Sequence, residues 1–211
     1  MSNHKIKFIY QISSLRFFII IATVTAFIFN FLDILIFQIT KSFPGVFFTF
    51  FAKIIDPLSD VLDPFNVIIV CSLVIFFNLN VKYLLQNKIK LKLLQEKTGL
   101  EYAKIIDTFD FYLLVCKHWI WSLAVAGILC NIIKYILGVA RPKYFFFEGF
   151  ERVDFFNALH KANSFPSGHT QAAFTLAVLL IIYVNKYYWI IFTIAALMGI
   201  SRIFMSMHFP S

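Results

Sequence analysis

Long apolar runs alternate with short polar connections along the whole chain. A membrane-spanning helix needs about 20 mostly apolar residues, and five runs come close to or exceed that length. They cover Leu15–Ile39, Val61–Asn80, Tyr112–Val139, Gly168–Val184 and Tyr187–Met207. The pattern predicts an all-α fold, a polytopic membrane bundle of about five transmembrane helices that forms one domain over residues 1–211.

Two further stretches have a different pattern. Phe43–Ile55 is apolar but too short to span a membrane, which predicts a short helix in the interface. Lys88–Asp110 is the longest polar stretch, and its spacing favours an amphipathic helix on the inner leaflet, with a docking site for a partner protein as the alternative.

Composition supports the membrane interpretation. The chain is 60% hydrophobic and only 14% charged, whereas soluble domains carry about 25% charged residues. The net charge of +8 comes from lysines and arginines between the apolar runs, which indicates a membrane protein and no nucleic-acid partner. Cys71, Cys116 and Cys130 lie in or beside apolar runs without metal-ligand spacing, so we expect buried thiols.

The distribution of basic residues predicts the orientation. Lys5, Lys7 and Arg16 precede the first run, a cluster of lysines lies between the second and third runs, and Lys186 lies between the last two. By the positive-inside rule the N-terminus is cytoplasmic. We therefore expect a multi-pass protein of the bacterial inner membrane whose outward helix ends face the periplasm.

Three basic residues lie at those outward ends. A charge at the centre of a membrane helix costs about 2.5–3.5 kcal/mol on insertion scales. The presence of Lys134, Arg141 and Arg202 in or near the apolar runs therefore needs an explanation. The first two are seven positions apart, which predicts one shared helix face with Gly138 leaving room and Pro142 ending the helix. Snorkelling would explain any one of them, but three together indicate an anion site.

The stretch SFPSGHTQAAF, residues 164–174, predicts the start of a helix on the same side of the membrane as these three basic residues. Pro166 and Ser167 favour the first turn, Gly168 exposes its backbone N–H, and His169 follows at once. A helix N-terminus of this kind binds phosphate well. His208 lies beyond Arg202 near the end of the fifth run. The candidate site is therefore Lys134, Arg141, Ser167, Gly168, His169, Arg202 and His208.

Three short motifs in this set resemble a known family. They are KYILGVARP (residues 134–142), PSGH (166–169) and SRIFMSMH (201–208). In this order they resemble the type 2 phosphatidic acid phosphatase superfamily, which includes lipid phosphate phosphatases, the vanadium haloperoxidases and glucose-6-phosphatase. Within this superfamily, the interfacial piece after the first run and the long basic inner connection most resemble the lipid A phosphatases.

The resemblance implies a function and a role for each residue. The substrate would be a phosphomonoester or diphosphate of a membrane lipid, of the lipid A, undecaprenyl diphosphate or phosphatidate class. His208 would attack phosphorus to form a phosphohistidine, and His169 would serve as general acid and then general base. Lys134, Arg141, Ser167, Gly168 and Arg202 would bind the phosphate. No metal or other cofactor is implied.

The sequence departs from the family pattern after His208. In the family an Asp follows the nucleophilic His and orients it, and a sixth helix completes the core. This sequence ends at Ser211, one residue before that Asp position, so the comparison predicts a C-terminally truncated domain. The alternative function is an inactive family member that binds anionic lipid or partner proteins. A transporter is disfavoured because the charges gather at one membrane face.

Overall fold

A computed structural model describes residues 10–184 and 187–211. Lys5, Lys7 and Lys186, which contributed to the predicted orientation, lie outside the described residues. Within the described ranges the chain is helical without strands, apart from one isolated antiparallel bridge between Val139 and Val153. This confirms the predicted all-α membrane helix bundle.

Among the residues that the structure describes, three helical stretches are long and apolar enough to cross a membrane. They are Leu15–Ser42, Gly45–Leu84 and Tyr102–Leu137, and two shorter apolar helices cover Gly168–Val184 and Tyr188–Phe204. The last two have 17 residues each, which corresponds to about 26 Å at 1.5 Å per residue. That length is near the lower limit for a transmembrane helix.

The first two helices each contain a single π-helical turn. Helix α1 covers Leu15–Ser42 with its π turn at Ile28–Leu32, and the Ser14 hydroxyl accepts a hydrogen bond from the Phe17 amide at its start. Helix α2 covers residues 45–61 with its π turn at Phe51–Ile55. The short helix predicted at Phe43–Ile55 therefore continues for six more residues.

The predicted amphipathic helix over Lys88–Asp110 is wrong in its extent. After α3 (Pro64–Leu84), helix α4 covers Lys88–Thr98 and ends at Gly99, whose φ of +66° is left-handed. Helix α5 then covers Tyr102–Leu137 and begins ten residues before the predicted Tyr112. Hydropathy marks only the apolar part of such a helix, whereas its first turns are polar and lie beyond that part.

The described residues form two compact units. One comprises the residues up to Val61 together with Gly127–Ser211, and the other comprises Leu62–Ala126. In the second unit Lys82 and Asp110 form an ion pair at 2.6 Å between α3 and α5. Cys71, Cys116 and Cys130 are buried free thiols, as predicted.

The first unit contains the remaining helices and all of the candidate site residues. Helix α6 covers Pro142–Glu148, α7 covers Gly168–Val184 and α8 covers Tyr188–Phe204. Small residues on α7, including Ala172, Ala173 and Ala177, are buried, which allows α7 and α8 to pack closely. Phe37 of α1 stacks on Phe146 of α6, and this contact joins the N-terminal helix to the segments around the site.

Candidate active site

Arg141 lies on a connection and not on the helix that carries Lys134. Helix α5 ends at Leu137, Gly138 has a φ of +53°, and Pro142 begins α6. The prediction that Lys134 and Arg141 share one helix face, with Pro142 ending that helix, is therefore wrong. The Arg141 amide donates a hydrogen bond to the Lys161 carbonyl at 2.9 Å, so the connection between α6 and α7 determines where Arg141 lies.

The chain changes direction at Gly138, where only a residue without a side chain fits. A Cβ atom at this position would lie 1.7 Å from the Asp154 carbonyl oxygen. The Asp154 amide also donates to the Gly138 carbonyl at 2.9 Å, and the Ser164 amide donates to the Val139 carbonyl at 2.8 Å. These bonds join the residues after α5 to the connection that leads into α7.

Lys134 and the start of α7 lie side by side. The Lys134 Nζ atom would be 3.3 Å from a Cβ atom built on Gly168. The Ser167 hydroxyl accepts a hydrogen bond from the Thr170 amide at 3.4 Å and so caps α7. Ser167, Gly168 and His169 are half-buried. The structure thus brings the first motif's lysine to the helix start of the second motif.

His208 lies beyond the end of α8, in a turn that folds back on the helix. Helix α8 ends at Phe204, so the predicted last run to Met207 is three residues too long. The amides of Met207 and His208 donate to the Arg202 carbonyl at 3.0 and 3.2 Å. Arg141 Nη1 donates to Met207 Sδ at 3.6 Å, which places the first motif's arginine beside the third motif.

The imidazole of His208 is buried and oriented by a backbone group. Its Nδ1–H donates to the carbonyl oxygen of Ser164. Since a carbonyl can only accept, this bond selects the tautomer with a free lone pair on Nε2. The side-chain motifs gave no signal for this contact, because any residue at position 164 supplies a carbonyl.

Burial keeps the His208 imidazole neutral. It lowers the pKa of His208 to about 3, the Ser164 carbonyl opposes this shift, and the positive charges of Arg141 and Lys134 and the neighbouring His169 lower the pKa further. These effects require the cationic groups to lie near the ring. An unprotonated nitrogen next to several cationic donors is a nucleophile beside an anion site.

Arg141 and Arg202 also lie near one another. Burial lowers the pKa of Arg141, the electrostatic interaction with Tyr144 opposes that shift, and the charge of Arg202 lowers the pKa further. Within the described residues, the Nε atoms of both arginines are buried without a hydrogen-bond partner. Buried donors without partners are unfavourable, and an anionic oxygen would satisfy them.

The comparison with protein families matches this part of the chain. Residues 117–211 match the PAP2 superfamily model. This region is therefore similar to the PAP2 superfamily. The match includes all three motifs and every residue of the candidate site, and it confirms the family resemblance.

Two curated relatives extend the similarity beyond the PAP2 domain. They are the lipid A 1-phosphatases of Rhizobium johnstonii and Rhizobium etli, 29% and 28% identical over 146 residues. The similarity covers 68% of this chain and 53% and 56% of the two relatives, so the matched chain spans about half of their length. No solved structure matches the chain.

One carboxylate from outside the PAP2 match anchors the segment that follows His208. Asp33 of α1 is buried and forms an ion pair with Arg152 at 2.7 Å. It accepts hydrogen bonds from the Ser211 amide and hydroxyl at 2.8 and 2.9 Å. The Arg152 guanidinium also lies 5.0 Å from the centre of the Phe209 ring. Asp33 lies within an apolar run, and the sequence pattern did not indicate this contact.

A second group outside the PAP2 match surrounds Arg202. Asp56, Ser59 and Asp60 of α2 all contact its guanidinium. Their pairing with a residue more than 140 positions away has no local sequence signal.

Proposed function

We propose that this chain is an integral membrane lipid phosphate phosphatase whose substrate is a phosphorylated lipid of the lipid A class. The match of residues 117–211 to the PAP2 superfamily supports a phosphatase, and the two curated relatives are lipid A 1-phosphatases. The observation that carries the proposal is the neutral, oriented imidazole of His208 beside Arg141 and Lys134. Undecaprenyl diphosphate and phosphatidate are the other substrate classes to test.

The proposed reaction has two steps. In the first, the Nε2 lone pair of His208 attacks phosphorus, the bond between phosphorus and the lipid oxygen breaks, and His169 protonates that oxygen. In the second, His169 removes a proton from water, the water oxygen attacks phosphorus, and the phosphorus–nitrogen bond breaks. The products are the dephosphorylated lipid, inorganic phosphate and neutral His208.

The remaining site residues would stabilise the charge on the transferred phosphoryl group. Lys134, Arg141 and Arg202 supply positive charge, while the Ser167 hydroxyl and the Gly168 amide are neutral donors at the start of α7. The arginine Nε–H groups that lack partners would donate to phosphoryl oxygens. In the transition state these donors supply the charge stabilisation that a metal ion gives in other phosphatases.

Hydrolysis by the purified chain tests this function. We expect the protein in detergent to release inorganic phosphate from lipid A that carries a 1-phosphate, faster than from undecaprenyl diphosphate or phosphatidate. The release should persist in the presence of a metal chelator. Phosphate is measured colorimetrically, with the Arg202→Ala variant as the inactive reference.

Three results would count against parts of this proposal. Faster hydrolysis of another lipid class would replace the substrate, and loss of activity in chelator with recovery on adding a divalent ion would remove the metal-independent mechanism. Binding of lipid A without turnover would instead support an inactive member of the family that binds anionic lipid.

We also propose that the chain lies in a bacterial inner membrane with its N-terminus in the cytoplasm and its active site on the periplasmic side. Lysines crowd the connection around α4, which favours the cytoplasm for that connection. We expect an alkaline phosphatase reporter fused after Gly149 to be active and one fused after Gly99 to be inactive. The reverse pattern would invert the orientation.

A further inference from the structure

The guanidinium of Arg202 is held from one side by a single face of α2. Its Nη1 lies 3.0 Å from Asp56 Oδ1, and its Nη2 donates to Ser59 Oγ at 3.0 Å. Residues 56 and 59 are three apart in a helix and so point in the same direction. Asp60 Oδ1 is farther away, at 3.8 Å, and its side chain is 70% exposed.

Burial makes two of these three contacts important. The Arg202 side chain is 8% exposed, that of Asp56 is 23% exposed and Ser59 is 1% exposed. A buried guanidinium needs compensation for lost hydration, and Asp56 and Ser59 supply it. Asp60 reaches the same group from solvent, where such pairs contribute little.

The contacts leave the buried Nε–H of Arg202 for a ligand. Asp56 and Ser59 contact the terminal nitrogens, whereas Nε is buried and has no hydrogen-bond partner in the described part of the chain. Asp56 Oδ1 is buried without a hydrogen bond as well, so its contact with Nη1 is a charge contact that does not use an aligned N–H. The guanidinium is thus fixed with its Nε–H available.

We propose that Asp56 and Ser59 are positioning residues that fix the Arg202 guanidinium so that its Nε–H meets an oxygen of the transferred phosphoryl group. The proposal rests on the proposed phosphatase function and adds residues from α2, which lies outside the matched residues 117–211. Neither residue touches the substrate. Each acts through Arg202, whose donors are then in place before the reaction begins.

A carboxylate beside a phosphate-binding arginine can either weaken anion binding, by neutralising the arginine, or strengthen it, by positioning the arginine. If Asp56 only neutralised Arg202, the Asp56→Asn variant would bind anions more tightly because net positive charge increases. If Asp56 positions Arg202, the variant should bind a transition-state analogue less tightly. Ser59→Ala changes no charge, so it reports positioning alone.

The test compares inorganic vanadate, a five-coordinate analogue of the transition state, with inorganic phosphate. We expect Asp56→Asn and Ser59→Ala to weaken vanadate binding about tenfold and phosphate binding less than threefold, because preorganised donors act mainly on the transition state. Binding to the full chain in detergent is measured by the concentration dependence of thermal stabilisation. The ratio of the two dissociation constants does not change with the folded fraction.

Asp63→Asn is the matched control. It makes the same change of charge near the start of α3, and Asn preserves the cap that Asp63 forms with the Phe65 amide. Its vanadate-to-phosphate ratio should equal that of the unmodified chain. An unchanged ratio in Asp56→Asn and Ser59→Ala, or tighter vanadate binding in Asp56→Asn, overturns the positioning role.

The same measurement separates this inference from the proposed function. If the unmodified chain binds vanadate but hydrolyses no lipid phosphate, the function fails, while the variants still decide whether Arg202 is positioned from α2. If the unmodified chain binds neither anion, Arg202 has no phosphate to meet and both proposals are overturned.

Discussion

His208→Ala is expected to abolish lipid phosphate hydrolysis and to leave no phosphorylated enzyme. The variant removes the atom that bonds to phosphorus in the proposed first step, so the phosphohistidine cannot form. His169→Ala is expected to slow turnover by about 10²–10⁴-fold, the usual range for lost acid–base catalysis. A substrate with a good leaving group would still phosphorylate His208 in this variant, and the adduct should persist because water lacks its base.

Acid-quench trapping of enzyme labelled from a radioactive substrate measures both effects. His160→Ala is the control, because His160 is an exposed histidine in the connection that leads into α7, and it should label and turn over like the unmodified chain. Label retained by His208→Ala and lost from His169→Ala would exchange the two roles.

Gly138→Ala is expected to remove most of the folded protein. The new methyl group would lie 1.7 Å from the Asp154 carbonyl oxygen, and the φ of +53° adds strain for any residue with a Cβ atom. Backbone atoms on both sides are tied by hydrogen bonds, so neither can move without breaking the connection that positions Arg141. The yield of monodisperse protein and its thermal unfolding in detergent measure the loss.

Gly149→Ala separates the effect of the left-handed φ from that of the contact with Asp154. Gly149 has a similar φ of +70°, but a Cβ atom there would meet nothing within 4 Å. Left-handed backbone alone costs about 1–2 kcal/mol, so this variant should fold with a modestly lowered melting temperature. Equal losses in the two variants would show that the strained φ, and not the contact with Asp154, makes Gly138 necessary.

The apolar pattern predicted the helices well and their ends poorly. The cores of α1, α3, α5, α7 and α8 coincide with the five runs because lipid requires long apolar helices with internal backbone hydrogen bonds. Arg141 shows why the ends differ. Two more helical turns after Lys134 would have placed Arg141 on the same face. The helix instead ends at Leu137, where Gly138 takes a left-handed φ and the Asp154 carbonyl leaves no room for a side chain.

The chemistry of the residues predicted the candidate site, but it did not predict the groups that hold those residues in place. Cations and histidines at the ends of apolar runs are costly in lipid and are therefore easy to notice in the sequence. The groups that hold them are a backbone carbonyl at Ser164 and oxygens of Asp56 and Ser59. Long-range pairing of this kind depends on how the helices pack, which a pattern of apolar and polar positions does not encode.

The bond from His208 to the Ser164 carbonyl has a consequence for acid tolerance. A carboxylate in that place would gain a proton near pH 4 and would stop accepting in the same way, releasing the ring. An amide carbonyl does not titrate in that range, so the imidazole keeps its orientation in acid. The carbonyl also carries no net charge that an incoming phosphate would repel, and no side-chain substitution at position 164 removes it.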